Sequence, residues 1–214
     1  MTDYINQIIL DLCGGTGAWS KPYKDAGYDV RNITLPDYDV RTYIPPNNVY
    51  GILVAPPCTE FSFARTKANK PRDLKEGMEI IRVCLNIIWS VMEIKQETKR
   101  KTLPLRFWVL ENPYFGMLKW FLGKPVFVFD PYEFGDNYKK RTALWGYFNE
   151  PKKNPIKMTQ EMINKCKTNS RPLPKFDYMK SKDIHPEFYK KFDRQTRRAI
   201  TPQGFAKAFY EANK

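Results

Sequence analysis

Apolar residues come first in short continuous runs separated by turn-forming residues. Gln7–Leu12, Val30–Leu35, Tyr50–Val54 and Phe107–Leu110 are each strand-sized and predict strands, the last of them buried. Ala18–Ala26 predicts a short helix closed by Gly27, a residue suited to a helix C-terminus. In Leu74–Ile94, Met78, Ile81, Leu85, Ile88 and Met92 recur at helical spacing, and Cys84 beside that face suits packing. Lys95–Arg106 reads as a polar, basic loop, and Pro125–Phe129 and Thr142–Phe148 as further strands. From Glu150 to about Asp193 the chain is rich in Lys, Pro and Asn and predicts an irregular connection. Ile200–Asn213 predicts a closing helix with Thr201 as cap and Pro202 at its first position. Strand and helix alternating in this way predict one α/β domain over residues 1–214, Rossmann-like, with a mostly parallel sheet and helices on both faces.

Composition narrows the setting. No run of about 18 apolar residues is present, so no membrane span is expected. Met1-Thr2-Asp3-Tyr4 lacks the basic and apolar regions of a signal peptide. Cys13, Cys58, Cys84 and Cys166 match no zinc spacing, and without a secretion signal they predict free thiols in a reduced, cytoplasmic compartment. His185, the one histidine, has no Cys or His at ligand spacing, so no metal is indicated. The net charge of +13 predicts a polyanionic partner, most plausibly nucleic acid, and aromatic residues at 15% offer surfaces on which bases stack.

Three stations carry candidate chemistry. Asp11-Leu12-Cys13-Gly14-Gly15-Thr16-Gly17 ends a predicted strand and opens a helix. Glycines there admit a nucleotide cofactor close to the backbone, and no Lys-Ser/Thr pair follows to cradle phosphates. Pro56-Pro57-Cys58-Thr59-Glu60-Phe61-Ser62 places a cysteine just past a strand, where open α/β sheets bind ligands. A thiolate at that point is a candidate nucleophile. Glu111 and Asn112 follow the apolar run Phe107–Leu110 and can face the same crevice.

In this order the stations resemble the motifs of the C5-cytosine DNA methyltransferases, and the C-terminal Ile200–Ala206 resembles the tail of short phage and bacterial members. The resemblance implies S-adenosylmethionine as cofactor, held by Asp11, Cys13, Gly14, Gly15, Thr16, Gly17 and Pro57, with Asp39 toward the adenine amino group. It implies Cys58 as the nucleophile at cytosine C6 and Glu111 as the acid at N3. Tyr138–Thr142 aligns loosely with the family's basic motif, which implies Arg141 as a further catalytic contact. Ser62, Asn112 and Lys140 are the implied substrate contacts. The target base in a duplex must leave the stack to reach Cys58.

The basic motif is altered, its two arginine positions falling on Lys140 and Thr142 with Arg141 between them, and three further departures from the family pattern are visible. Cys13 replaces the aromatic that stacks on adenine, a role for which Trp19 is the substitute. Asn32-Ile33-Thr34-Leu35-Pro36 holds no acid for the ribose. Between the basic motif and the last helix, only Tyr147–Arg198 intervenes, a reduced insert at 150–198 where the family carries a recognition domain. Lys190, Lys191, Arg194, Arg197 and Arg198 cluster there as candidate phosphate contacts. The reading is cytosine-C5 methylation of DNA. Specificity is then weak or supplied by a protein partner. RNA, a free cytosine nucleotide, or a non-catalytic nucleic-acid-binding role remain alternatives.

Overall fold

The computed structural model describes residues 7–65, 69–97, 105–157, 159–161, 164, 190–192 and 194–214. In chain order the elements are β1 (Ile8–Leu12), α1 (Lys21–Asp25), β2 (Asp29–Ile33), a 3-10 turn (Val40–Thr42), β3 (Val49–Val54), α2 (Leu74–Glu97) and β4 (Phe107–Pro113). There follow α3 (Leu118–Leu122), β5 (Phe127–Phe129), a second 3-10 turn (Pro131–Phe134), β6 (Thr142–Tyr147), α4 (Arg194–Ala199) and α5 (Gln203–Asn213). Every residue of β1 and β3 is buried, so these strands lie inside the sheet and alternation would serve no purpose there.

The six strands form one sheet in the order β2-β1-β3-β4-β6-β5. β2, β1, β3 and β4 are parallel, and β6 runs antiparallel to both β4 and β5. The α/β class and the mostly parallel sheet are therefore as expected, with one reversed strand. No helix among the described residues is long and apolar enough to cross a membrane.

Both faces of the sheet are covered. One core joins α2, through Ile81, Cys84, Ile88 and Val91, to Leu10, Ile52 and Leu110. The other joins α1 and α5, through Tyr23, Phe205 and Phe209, to Ile9, Leu53 and Val109. Aromatic rings make up most of it; Phe129 and Phe205 stack with ring centroids 3.9 Å apart, a contact that adds to the burial of their area.

Several boundaries differ from expectation. α2 runs on to Glu97, into the stretch read as a loop. Its buried stripe includes Cys84 itself, while Met92 is exposed; the helix is turned slightly from the face that the apolar spacing suggests. α1 begins only at Lys21, because Trp19 and Ser20 are drawn into the interior before the helix starts. Pro202 rather than Thr201 occupies the cap of α5. In the connection after β6, Pro151–Lys157 is irregular as expected, whereas Gln160, Glu161 and Asn164 are helical. Cys166 and His185 lie outside the described residues.

Gly51 shows how tightly the sheet is covered. A Cβ at this position would sit 2.2 Å from the Phe107 ring, which lies across it. The ring is fully buried and has no free direction in which to move. Gly51→Ala is expected to destabilise the fold by about 1–3 kcal/mol, the usual cost of overpacking. Urea denaturation measures this, and an unchanged midpoint would show that the ring gives way.

Candidate active site

Parallel pairing brings the three stations to one level. Leu12 pairs with Val54, and Val54 with Leu110. The chain therefore leaves β1 into the glycine turn and β3 into Pro56-Pro57-Cys58, while β4 reaches Glu111, all at the same sheet edge. Because β6 is antiparallel, its first residues lie at this edge too: Pro113 pairs with Thr142. Lys140 and Arg141 enter the site on the way into the sheet.

The segment carrying Cys58 is fixed by its own backbone. The Cys58 carbonyl accepts from Phe61 N at 3.1 Å and Ser62 N at 2.9 Å. Arg72 donates to the carbonyls of Glu60 and Ser62, each at 2.9 Å. Met117 N donates to the Phe61 carbonyl at 2.9 Å. Arg65 pairs with Glu60 at 2.8 Å in a largely covered position. Asn112 donates its side-chain amide to the Pro56 carbonyl at 3.3 Å, tying the end of β4 to the Pro-Pro corner. Asn112 is 1% exposed, and with this bond it braces the Cys58 segment. Ser62 is likewise inside the turn, its hydroxyl accepting from Ala64 N at 3.2 Å.

Cys58, Glu111 and Lys140 share the crevice, and Arg198 joins them. Each of the first three keeps some accessible surface, yet protein surrounds them closely and loss of water dominates their titration. Burial, then the Glu111 charge, raises the Cys58 pKa, against the lowering pull of Lys140 and Arg198. Burial raises Glu111, with Lys140 opposing. Burial lowers Lys140, opposed by Glu111 and Cys58. Lys140 is anchored by donating to the Ile200 carbonyl at 3.2 Å. Arg141 stands apart from this group. It is exposed and pairs with Asp130 at 3.4 Å, and its guanidinium lies 5.3 Å from the Tyr114 ring centre. The cations acting on Cys58 are thus Lys140 and Arg198, while Arg141, expected as a catalytic contact, is held by Asp130 at the rim. Arg198 was legible only as one of a basic cluster; its nearness to Cys58 depends on how the chain enters α5.

The glycine turn has its own logic. Gly14 lies directly over the Asp11 carboxyl, and a Cβ there would come within 2.3 Å of it. Gly15 and Gly17 have φ of 55° and 70°, a region that glycine enters without cost. Nothing lies within 4 Å of a Cβ at Gly15, so this side of the turn is open. Asn32 donates to the Gly15 carbonyl at 3.0 Å; the residue standing where a ribose acid was sought holds the turn instead. Cys13 also has positive φ, 58°, and its thiol is hydrogen-bonded to Cys84 of α2.

Three predicted cofactor residues are placed differently from expectation. Asp11 is fully buried beneath the turn and accepts from the Ser20 hydroxyl; it supports the backbone from below. Trp19 is 2% exposed and packs on Phe205 and Phe209, with centroids 5.9 and 5.6 Å apart, so it is not available to stack on adenine. Its rings are needed to seat α5. Asp39 caps the first 3-10 turn and holds the Arg41 guanidinium with both oxygens, although its charge still reaches Cys13, where it opposes the lowering of the thiol pKa. Thr16 and Pro57 keep accessible surface at the open edge. Among the described residues no group of acidic, His and Cys side chains could hold a metal ion. No family model matches the chain, and no curated protein does either.

Two measurements follow from these charges. Burial pushes Asp11 from 3.8 up to about 6, so the folded state binds this proton more tightly than the unfolded chain. The stabilisation is present below about pH 4 and is lost as pH rises to about 6, worth roughly 3 kcal/mol at about 1.4 kcal/mol per unit. Asp136 is raised to about 6 as well and adds to the same slope. Asp11→Asn is expected to flatten the fall in urea stability between pH 4 and 6; a slope equal to wild type would remove Asp11 as its source. For Cys58, Lys140→Gln removes the nearest cation. The pH midpoint of Cys58 alkylation by iodoacetamide, read by peptide mass spectrometry, is expected to move upward, and no movement would place Lys140 out of electrostatic reach.

Proposed function

We propose that this protein methylates C5 of cytosine in DNA, using S-adenosylmethionine and a transient Cys58–C6 bond. The observation that supports this reading most is the meeting of Cys58, Glu111 and Lys140 at one sheet edge, beside the glycine turn after β1. A binding module has no need of a thiol, a raised carboxyl and a lysine confined together.

Cytosine C5 is a weak nucleophile. Addition of a thiolate to C6 makes C4–C5–C6 an enamine and enriches C5 in electrons. Cys58 rests as a thiol because burial and Glu111 raise its pKa. When the thiol gives up its proton to water, Lys140 and Arg198 stabilise the thiolate. Glu111, kept protonated toward higher pH by burial, donates to N3 and draws off the charge that the addition creates. Once C5 carries the methyl group that S-adenosylmethionine would supply, loss of the C5 proton to water expels the thiolate, and the N3 proton returns to Glu111, which restores the ring.

The glycine turn suits an adenosine-bearing cofactor: its outer side is open at Gly15, and the buried Asn32 Oδ1 beside it has no hydrogen-bond partner. Gly14, Gly15, Thr16 and Gly17, with Pro57 across the crevice, would hold S-adenosylmethionine, which supplies the methyl group when bound. With Trp19 buried and Asp39 engaged by Arg41, the adenine contacts fall to other residues of the turn.

The test is methyl transfer from labelled S-adenosylmethionine to single-stranded DNA, duplex DNA, RNA and free cytosine nucleotides. Label is expected on DNA cytosine and is lost in Cys58→Ala. Glu111→Gln is expected to lower kcat by about 10²–10⁴-fold, the range of general acid catalysis. A Cys58→Ala protein of undiminished rate would remove the covalent route, and label on a free nucleotide alone would change the substrate.

A further inference from the structure

Beside the Cys58 crevice the protein exposes aromatic rings that its core does not use. Phe63 is 45% exposed, Phe115 60% and Trp120 65%. They come from two segments that also carry the chemistry: Phe63 follows Cys58 by one tight turn, and Phe115 follows Glu111 at the end of β4. The segments are joined at this point. Phe63 N donates to the Phe115 carbonyl at 3.2 Å, and Ser62 pairs with Gly116 in an isolated bridge. Trp120 on α3 brings its ring to 5.8 Å from that of Phe63. Arg72 and Met117 hold the Phe63 segment by its backbone, so the rings stand on a fixed base.

Cations lie alongside. Lys119 sits over the Tyr114 ring at 4.9 Å and Arg141 at 5.3 Å from the same ring, the latter also paired with Asp130 at 3.4 Å. Tyr114 adjoins Phe115 in the chain, and their rings meet edge to face at 5.3 Å. Flat apolar faces bordered by positive charge match a chain of bases on a phosphate backbone. In a duplex, the faces of the bases are covered by their neighbours and rings of this kind find nothing to stack on.

We propose that Phe63, Phe115 and Trp120 form a stacking platform for the unpaired bases of single-stranded DNA that flank the target cytosine. This rests on the proposed function for the Cys58 site and names its substrate as a single strand. A strand laid across the platform presents a cytosine that is already unstacked, so the crevice need not extract it from a helix.

The experiment is fluorescence anisotropy of the full chain, carrying Cys58→Ala and without S-adenosylmethionine, against a labelled oligodeoxynucleotide. The same sequence is offered as single strand, as duplex and as RNA, at one salt concentration. The single DNA strand is expected to bind at least about tenfold more tightly than the duplex, and Trp120→Ala to weaken the single strand by about five- to a hundredfold, the span found for stacked bases. Duplex affinity is expected to stay unchanged, and Trp120→Phe to keep most of the binding. Trp120 is exposed, so the fold survives its loss, which thermal melting verifies. Equal affinity for single strand and duplex, no effect of Trp120→Ala, or tighter binding of RNA each overturns the proposal. Because binding is read without turnover, a failure of methyl transfer leaves this result standing, and transfer to duplex alone removes only the platform.

Discussion

Lys140 and Glu111 leave water together, and the candidate site depends on that. An amine in the crevice loses hydration and its pKa falls; a carboxyl in the same place rises. Each charge is the largest relief the other has, and removing one would leave the other uncompensated, which costs more than the pair gains. Cys58 sits in the field of both, pushed up by the acid and pulled down by the cations. The net result keeps Cys58 a thiol at rest, under the opposed pulls of neighbours that come from three separate parts of the chain.

Geometry makes that balance possible. A long polar loop would let the thiol drift by ångströms and the electrostatic balance would average away. Here the carbonyls of Cys58, Glu60, Phe61 and Ser62 are all bound, to the turn itself, to Arg72 and to Met117. Asn112 fastens the corner before the cysteine. The polar residues around Cys58 thus serve mainly to hold its backbone, leaving the chemistry to a few groups on a firm support, as functional sites require.

Much of this was visible in the sequence because it is local. The short apolar runs gave the strands, and the polar residues at their ends marked the crevice: Cys13, Cys58 and Glu111 all lie at the predicted edge. What was hidden is long-range. Trp19 reads as a ring free to stack on a ligand until Phe205 and Phe209, nearly two hundred residues on, arrive to cover it. Arg141 and Lys140 are neighbours of like charge, and only their distant partners, the Ile200 carbonyl and Asp130, tell them apart. Asn32 looks like a missing acid, whereas its partner is the carbonyl of Gly15. Cys84 shows the limit of periodicity: the stripe it joins is one residue away from the one that the larger side chains suggest.

The last helix links the two edges of the sheet. At its start the Asp136 carboxylate accepts from Gly204 N at 3.2 Å. At its end, Asn213 and Asn149 exchange hydrogen bonds of 2.8 and 3.0 Å just past the far end of β6. Ile200 and Arg198, which anchor and oppose the Lys140 charge, come immediately before this helix. α5 is therefore fastened at both ends, and the segment that carries Arg198 runs directly into its fixed first turn. The amide clasp at its far end touches neither Cys58 nor Glu111, yet it secures the same helix whose entry carries Arg198 and Ile200 into the crevice.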